Sequence, residues 1–431
     1  MSERIVVREY ARLTTSPLQK NTLDEAQISE SAFDWLCDLA ARFRSSGAAL
    51  LQMNGRRWLR LDSYVGVLES PCGQIIEILP KHHQIDACEE SARALLCKLI
   101  ASALDSSSRT TTEAGLQIYK TSLSEWVMRQ FLLAFDHLIK RGLRFDYLRI
   151  EEEQPFLHGQ LDVVRQMRQP PGRQHLFNIR HDVFLPDRPE NRLLQSALKL
   201  VCQSAQDAEN WRLAHELGGM LMEMPESRDF AQDFRLWRND RLMAHYQPLK
   251  AWCELILYQH MPKAVSGAFR GISMLFAMEK LFEGYVEQQL RKVLPKGASL
   301  RSQAREKYLC QQDQEKIFQL RPDLMLQLDD RPIILDTKWK LLDAGDRAHN
   351  YGLSQSDFYQ LFAYGHKYLN GQGRLILLYP SYEKFNKDTV ISDFNFNENL
   401  NLSVLPFDLE DEKSAASLID RLMTGKSIGR H

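Results

Sequence analysis

Alternating apolar and polar positions near the start of the chain predict short β-strands with one buried face. Helical spacing of apolar residues predicts one helix over about Asp24–Phe43 and a second over residues 89–104. The turn-forming stretch Ser70–Gly73 predicts a reversal between two neighbouring strands. The predicted strands of this region are Arg4–Tyr10, Trp58–Leu61, Tyr64–Leu68 and Gln74–Leu79.

The polar run from Asp105 to Thr112 predicts a linker, and the pattern changes beyond it. Apolar positions recur at helical spacing over about 115–265, with an extended piece at Phe145–Asp162 and a Pro-Pro-Gly loop at 170–172 as interruptions. A helix is predicted to begin near Pro189, because an acid and a proline favour the first turn. The middle region is therefore predicted to be mostly helical.

Four arginines and no acid lie between Val163 and His181. A solvated loop is the ordinary interpretation of such a strip, and a surface that contacts phosphate groups is the other. Both interpretations stay open on the sequence. The arginines are Arg165, Arg168, Arg173 and Arg180.

The last third of the chain follows the order helix, hairpin, helix, strand, which is typical of an α/β arrangement with a mixed sheet. The first helix is predicted over about Ser273–Lys292, and the second ends at Asn370-Gly371, a favourable C-terminal cap. The other predicted elements are the strands Arg321–Leu328 and Pro332–Lys338, joined by Asp329-Asp330, the helix Gln355–Leu369 and the strand Arg374–Tyr379.

These patterns predict an α/β protein, α+β overall, in three domains, and a length of 431 residues suits two or three. A β-rich N-terminal domain is expected over 1–112 and a largely helical middle domain over 113–265. The C-terminal domain, 266–431, is expected to hold the mixed sheet.

Composition and charge narrow the classes of function. The net charge of −1 means that any affinity for a polyanion must come from local patches. The sequence contains no run of 18 apolar residues, so no membrane-spanning helix is predicted. The N-terminal segment lacks the apolar core of a secretory signal. Seven cysteines without a CxxC pair indicate reduced thiols, so we expect a cytoplasmic protein with no membrane partner.

The predicted hairpin brings together the side chains with the clearest chemistry. Strand alternation directs Asp336 and Lys338 to one side and Thr337 to the other, and Asp323 lies within reach across the pair. Two close carboxylates repel each other and favour a divalent cation, and carboxylate oxygens suit Mg²⁺. A metal-bound water and a lysine at this position predict hydrolysis of a nucleic-acid backbone.

Each part of this pattern also occurs by chance in surface hairpins, so the flanking elements matter. Asp336 follows the apolar run Ile333–Leu335, where a buried charge needs a partner. The preceding helix offers Glu283 as a further acid, with Glu279 one turn away as a competitor. In the following helix, Gln360 and Tyr364 share a face and are predicted to contact the substrate.

The other motifs in the sequence indicate a function less strongly. The twelve histidines form no HxxxH pair, and neither a zinc-type Cys/His spacing nor a GxSxG elbow is found. Trp339, directly after Lys338, is interpreted as a core residue rather than a platform for base stacking.

The pattern Pro322-Asp323, Asp336-x-Lys338 and Gln360-x-x-x-Tyr364 resembles the PD-(D/E)xK nuclease superfamily in its QxxxY variant. More narrowly, the chain resembles the McrC family of McrBC modification-dependent restriction systems. The segments that carry this narrower likeness are Val65–Val67, Ile76–Lys81, His158–Asp162, Pro189–Arg192, Leu281–Glu283 and Leu378–Pro380.

The resemblance implies a restriction-endonuclease-like C-terminal domain with Asp323 and Asp336 as metal ligands, Lys338 as catalytic lysine and Glu283 as a weaker catalytic candidate. It implies Mg²⁺, or Mn²⁺ in its place, as cofactor and double-stranded, methylcytosine-containing DNA as substrate. It also implies a partner, a McrB-like AAA+ GTPase that docks on the N-terminal domain and is stimulated there. GTP is expected on that partner, because this chain has no GxxxxGK[ST] motif.

Two other functions share parts of this pattern. A stand-alone DNA repair or recombination nuclease would use the same site without a GTPase. An inert docking module would keep the fold, although loss of Asp336 or Lys338 is then expected and both are present.

Overall fold

A computed structural model of the chain describes residues 4–45, 50–53, 57–81, 88–104, 121–221, 224–258, 273–328, 331–389 and 391–424. These residues form two compact units. The first contains the described residues up to Leu123 and from Ser273 onwards, and the second begins at Ser124 and extends to residue 258. The predicted linker, 105–112, and both predicted domain boundaries, 112/113 and 265/266, lie outside the described residues, so the three-domain division stays a prediction.

The strands are, in chain order, β1 Arg4–Arg8, β2 Arg12–Thr14, β3 Glu25–Gln27, β4 Leu51–Met53, β5 Trp58–Leu61, β6 Tyr64–Glu69, β7 Ile75–Leu79, β8 Asp146–Gln154, β9 Gln160–Leu161, β10 Phe177–Leu185, β11 Met274–Ala277, β12 Ser299–Ser302, β13 Lys307–Gln312, β14 Glu315–Leu320, β15 Leu324–Leu328, β16 Arg331–Thr337, β17 Gly373–Pro380, β18 Phe394–Asn395 and β19 Leu400–Phe407.

The helices are α1 Glu30–Ser45, α2 Glu89–Ala103, α3 Leu123–Arg141, α4 Val163–Met167, α5 Pro189–Ser204, α6 Ala208–Met220, α7 Phe230–Leu236, α8 Gln247–Tyr258, α9 Met278–Val293, α10 Gln355–Tyr368 and α11 Ser414–Thr424. Short 3₁₀ turns occur at Arg241–Met243 and Arg347–Gly352. None of the described helices is long and apolar enough to span a membrane.

The N-terminal part of the first unit contains two four-stranded sheets, in the orders β1-β7-β6-β11 and β3-β2-β5-β4. The four strands predicted here are confirmed as β1, β5, β6 and β7. The predicted start of the first helix at Asp24 is wrong, because Glu25–Gln27 is a strand that pairs with β2. The Ser29 hydroxyl accepts a hydrogen bond from the Ala32 amide at 3.2 Å and caps the helix that begins at Glu30.

The helix predicted over Ser273–Lys292 also begins later than expected. Residues Met274–Ala277 form β11, which pairs antiparallel with β6, and the helix proper is α9. The apolar run at 274–277 is buried in the strand pairing, which outweighs its compatibility with helical spacing. This strand joins the C-terminal region to the N-terminal sheet.

The C-terminal part of the first unit is built on a six-stranded sheet in the order β12-β15-β16-β17-β19-β18. The hairpin β15–β16 is antiparallel, whereas β16–β17 and β17–β19 are parallel, so the predicted mixed sheet is confirmed. The helix α10 packs on it through Leu361 and Tyr364, which share a core cluster with Ile334 and Leu377. Five strands here were not predicted: β12, β13, β14, β18 and β19.

The second unit combines the helices α3 to α8 with a three-stranded sheet in the order β8-β10-β9. The predicted helix start at Pro189 is confirmed, and Pro189 occupies the first turn of α5. The arginine strip lies beside acids of β8: Arg165 and Arg180 contact Glu151 at 2.8 and 3.0 Å, and Arg173 contacts Glu153 at 3.4 Å. This pairing favours a largely neutralised surface over a free phosphate-contacting strip.

Gly66 generates a prediction about stability, because the backbone of the neighbouring strand β11 approaches it closely. Its φ is +138°, and a Cβ atom there would lie 2.0 Å from the carbonyl oxygen of Met274. We expect Gly66→Ala to lower the free energy of unfolding by about 3 kcal/mol. Thermal and denaturant unfolding measure this. Gly73→Asn is the matched control, since Gly73 has φ +83° in open space and asparagine tolerates that region. Equal stability of the two variants would contradict the close approach of β11 to Gly66.

Candidate active site

Three of the predicted site residues meet at the open end of the β15–β16 hairpin. Asp323 directly precedes β15, and Asp336 is the second-last residue of β16. The register pairs Leu324 with Leu335, so Asp323 lies opposite Asp336. Lys338 continues the parallel pairing of β16 with β17, since its amide donates to the carbonyl oxygen of Leu378 at 2.9 Å. The backbone thus brings the three side chains together.

An ion pair and hydrogen bonds connect these side chains with one another and with Thr337. The Nζ of Lys338 lies 2.7 Å from Oδ2 of Asp336, whose side chain is 1% exposed. Asp323 Oδ2 accepts hydrogen bonds from the amide of Thr337 at 2.9 Å and from its hydroxyl at 3.0 Å. Thr337 was predicted to point away from the site, but its hydroxyl bonds the neighbouring strand's carboxylate and holds Asp323 in place.

The pKa values of both carboxyl groups, Asp323 and Asp336, are raised. Burial, followed by the charge of Asp323, raises the pKa of Asp336 to about 7. Burial and the nearby Glu283 also raise the pKa of Asp323. Burial lowers the pKa of Lys338, but the Asp336 carboxylate more than offsets this and holds that pKa above its usual value. Lys338 therefore stays an ammonium beside two carboxyls that one cation does not neutralise.

Glu283 lies next to Asp323, on α9. It forms an ion pair with Lys280 at 2.6 Å, and the side-chain amide of Gln303 donates both to Glu283 and to Asp323, the latter at 3.4 Å. Gln303, which the sequence did not single out, thus bridges the two acids. Glu279 instead lines a cavity beside Lys338, so the structure places Glu283 nearer to Asp323.

Gln360 and Tyr364 form a chain of hydrogen bonds that ends at Lys338. Lys338 Nζ donates to Gln360 Oε1 at 3.4 Å, Gln360 Nε2 donates to Tyr364 Oη at 2.6 Å, and Tyr364 Oη donates to the carbonyl oxygen of Arg321 at 3.0 Å. Tyr364 is 3% exposed. Contact with substrate stays a prediction for both residues, and their observed contacts orient Lys338.

Asp357 is a further acid that sequence reasoning missed. It lies in the first turn of α10, and its charge raises the pKa values of both Asp336 and Lys338. The hydroxyl of Tyr379 donates to its Oδ2 at 3.4 Å. The signal in the sequence is its position three residues before Gln360, which places both on one face of the helix.

Trp339 packs partly as predicted. Its ring lies 5.5 Å from that of Phe282 on α9, but its indole Nε1 donates to Glu9 Oε1 at 2.8 Å. The side chain is half-buried, so one part of it belongs to the core and another part faces the cavity beside Lys338.

The donor set fits a hard divalent cation held by few protein ligands. Within the described residues, no group of three or more His, Cys, Asp and Glu side chains is arranged to hold a metal ion. Asp323 and Asp336 supply two carboxylates whose mutual repulsion a cation would relieve. Mg²⁺ commonly binds through one or two carboxylates and completes its shell with water and substrate phosphate, and Mn²⁺ accepts the same ligands.

A family model described as "McrBC 5-methylcytosine restriction system component" matches residues 59–380. A search of curated protein sequences returned no match.

Two solved structures are similar in fold. A chain from the half-complex of Thermococcus gammatolerans McrB AAA+ hexamers with bound McrC aligns with a TM-score of 0.71 at 16% identity, over 97% of this chain and 100% of the other. A chain of the Thermococcus gammatolerans McrBC complex aligns with a TM-score of 0.53 at 19% identity, over 68% of this chain and 88% of the other. At these identities the likeness shows the fold alone.

The raised pKa of Asp336 generates a prediction about stability and pH. Its folded pKa of about 7 exceeds the unfolded value near 4, so the neutral carboxyl stabilises the fold at low pH and this stabilisation is lost as the pH rises through about 7. In metal-free protein, we expect Asp336→Asn to raise Tm by ~3 °C at about pH 8.5 and to have little effect at about pH 4.

Differential scanning calorimetry across this pH range measures the effect. The exposed Asp420, on α11, offers the matched control Asp420→Asn, which should retain the wild-type pH dependence. The same Tm difference at both ends of the range would contradict the assignment of the titration to Asp336.

Proposed function

The chain belongs to the McrC family of McrBC 5-methylcytosine restriction system components, and from this membership and the geometry of the site we propose that it is a DNA endonuclease subunit. The substrate is double-stranded DNA that contains methylcytosine, and the reaction is hydrolysis of its phosphodiester bonds. One observation carries the proposal: Asp323, Asp336 and Lys338 converge at the end of one hairpin, with two carboxyls that a single ammonium does not neutralise.

In this proposal Asp323 and Asp336 hold Mg²⁺, or Mn²⁺ in its place. The bound cation would withdraw charge from the phosphate and acidify a water molecule. Lys338 stays charged, because Asp336 raises its pKa, and it stabilises negative charge that develops on the phosphate oxygens. Gln360 accepts a hydrogen bond from Lys338 and orients it, and the buried Tyr364 fixes Gln360 in turn.

The proposed partner is a McrB-like AAA+ GTPase. The two similar structures are described as assemblies of McrB with McrC, which supports such a partner for this chain. The sequence holds no GxxxxGK[ST] motif, so GTP is assigned to the partner rather than to this chain. The N-terminal region, 1–112, is proposed to dock the partner and stimulate its GTPase.

A stand-alone repair nuclease and an inert docking module are the competing functions. A repair nuclease would cut without GTP or methylation, and an inert module would cut under no condition. Family membership favours the restriction complex over the first, and the intact Asp336 and Lys338 favour activity over the second.

The central prediction is that Asp336→Ala and Lys338→Ala each abolish cleavage of methylated plasmid. The assay contains the GTPase partner, Mg²⁺ and GTP, with unmethylated plasmid beside it. We expect a loss of at least ~100-fold, because each variant removes an interaction with the reacting phosphate or its cation. GTPase stimulation should persist in Asp336→Ala, which separates cutting from docking. Cleavage by either variant at the wild-type rate would remove the site assignment.

A second prediction separates orientation from chemistry. We expect Gln360→Ala to reduce cleavage by ~10-fold, less than Asp336→Ala, because the lysine stays in place and loses only its orientation. Gln360→Glu should shift the pH profile of kcat, since it adds a charge beside Lys338. Gln355→Ala, on the exposed side of the same helix, is the matched control. Equal losses in Gln360→Ala and Asp336→Ala would assign Gln360 a direct role.

A further inference from the structure

A cavity of about 500 Å³ opens beside the catalytic lysine, within the first unit. One wall comes from the N-terminal sheets, through Glu9, Tyr10, Arg60 and Lys81. The opposite wall comes from the C-terminal region, through the segment 338–341 together with the acids of α9 and α10, Glu279 and Asp357. The cavity therefore continues the candidate active site onto a surface that the nuclease motif does not include.

Four positive side chains and three acids line this cavity. Arg60, Lys81 and Lys340 form its cationic rim, and among the described residues none of them makes a close ion pair, although the charge of Lys81 acts on the carboxyls of Glu9 and Asp24. Lys340 Nζ instead donates to the carbonyl oxygen of Gly352 at 2.5 Å, and the Arg60 guanidinium lies 6.0 Å from the ring centroid of Tyr10. Cations that make no close ion pair favour an anionic ligand.

The interior of the cavity combines aromatic rings with a buried carboxyl. Glu9 is 1% exposed, and its Oε1 accepts hydrogen bonds from the Lys81 amide at 2.8 Å and from Trp339 Nε1 at 2.8 Å. Its Oε2 is buried and has no hydrogen-bond partner among the described residues. Such an atom is costly unless a ligand satisfies it.

Tyr10 forms part of the same wall in a strained backbone conformation. Its φ is +64°, a region that a bulky residue rarely occupies. Strain of this kind persists where the surrounding structure requires it, and it is common at ligand sites. Tyr10 and Trp339 thus offer ring surfaces next to an unsatisfied polar atom and a cationic rim, a combination suited to a nucleotide.

We propose that this cavity is a subsite for the DNA strand that is cut, where Arg60, Lys81 and Lys340 bind the phosphates that flank the scissile bond and Tyr10 and Trp339 contact the sugar and base. The inference rests on the proposed nuclease function and names the part of the substrate that the N-terminal sheets would bind. The same region would then serve DNA as well as the partner GTPase. A peptide of the partner is a competing occupant, but the cationic rim and the adjoining catalytic lysine favour a polyanion that passes through the active site.

The test is DNA binding by the full-length chain in an Asp336→Asn background, measured by fluorescence anisotropy with a short labelled methylated duplex over a range of salt concentrations. Arg60→Ala/Lys81→Ala should raise Kd by ~10-fold and lower the slope of log K against log salt by about 1 to 2. Tyr10→Asn retains the positive φ and removes the ring, so it should weaken binding with no change in slope. Arg57→Ala, an exposed arginine just before β5 that does not line the cavity, is the matched control.

Unchanged affinity and slope in Arg60→Ala/Lys81→Ala would overturn the inference, as would a background chain that fails to bind the duplex. The double variant could instead bind DNA normally and lose GTPase stimulation, and the cavity would then belong to the partner. Cleavage by the wild-type chain is measured separately. If the wild-type chain does not cleave DNA, the nuclease proposal is refuted. If it cleaves DNA but its DNA affinity is unchanged in Arg60→Ala/Lys81→Ala, only the subsite is refuted. Thermal unfolding confirms that the surface substitutions leave the fold intact.

Discussion

The site depends on one constraint, the antiparallel register of the β15–β16 hairpin. This register places the partly buried Asp323 opposite the fully buried Asp336, where water screens their charges only weakly. Each carboxyl therefore raises the free energy of ionising the other, and a single lysine only partly offsets the repulsion. A one-residue slip would turn Asp336 to the opposite face of the sheet and dissolve the site.

The elements around the hairpin restrain the same three side chains from different directions. From α10, Gln360 and Tyr364 hold the lysine, while Gln303 connects Asp323 to Glu283 on α9. Because these contacts come from separate elements, no single loop controls the geometry. Rigid supports of this kind are what positions a reacting group, since small displacements cost large factors in rate.

The N-terminal sheets contact the region that holds the candidate site. The strand β11 leads directly into α9 and pairs with β6, and Trp339, next to Lys338, donates a hydrogen bond to Glu9. The N-terminal sheets thus contact the segment that carries Lys338 through one part-buried hydrogen bond, and they contact α9 through β11.

The sequence alone determined the local features: the strands β5, β6 and β7, the hairpin, the helix with Gln360 and Tyr364, and the motif spacing that identified the family. These depend on side-chain periodicity and short motifs, which neighbouring residues encode. Tertiary structure decided the rest. Met274–Ala277 became a strand because β6 was available to pair with it. Three of the four arginines of 163–181 are ion-paired, because β8 places Glu151 and Glu153 beside them. Gln303 and Glu9 reached the site from other elements, and no periodicity or spacing records such contacts, because they arise only when separate elements pack together.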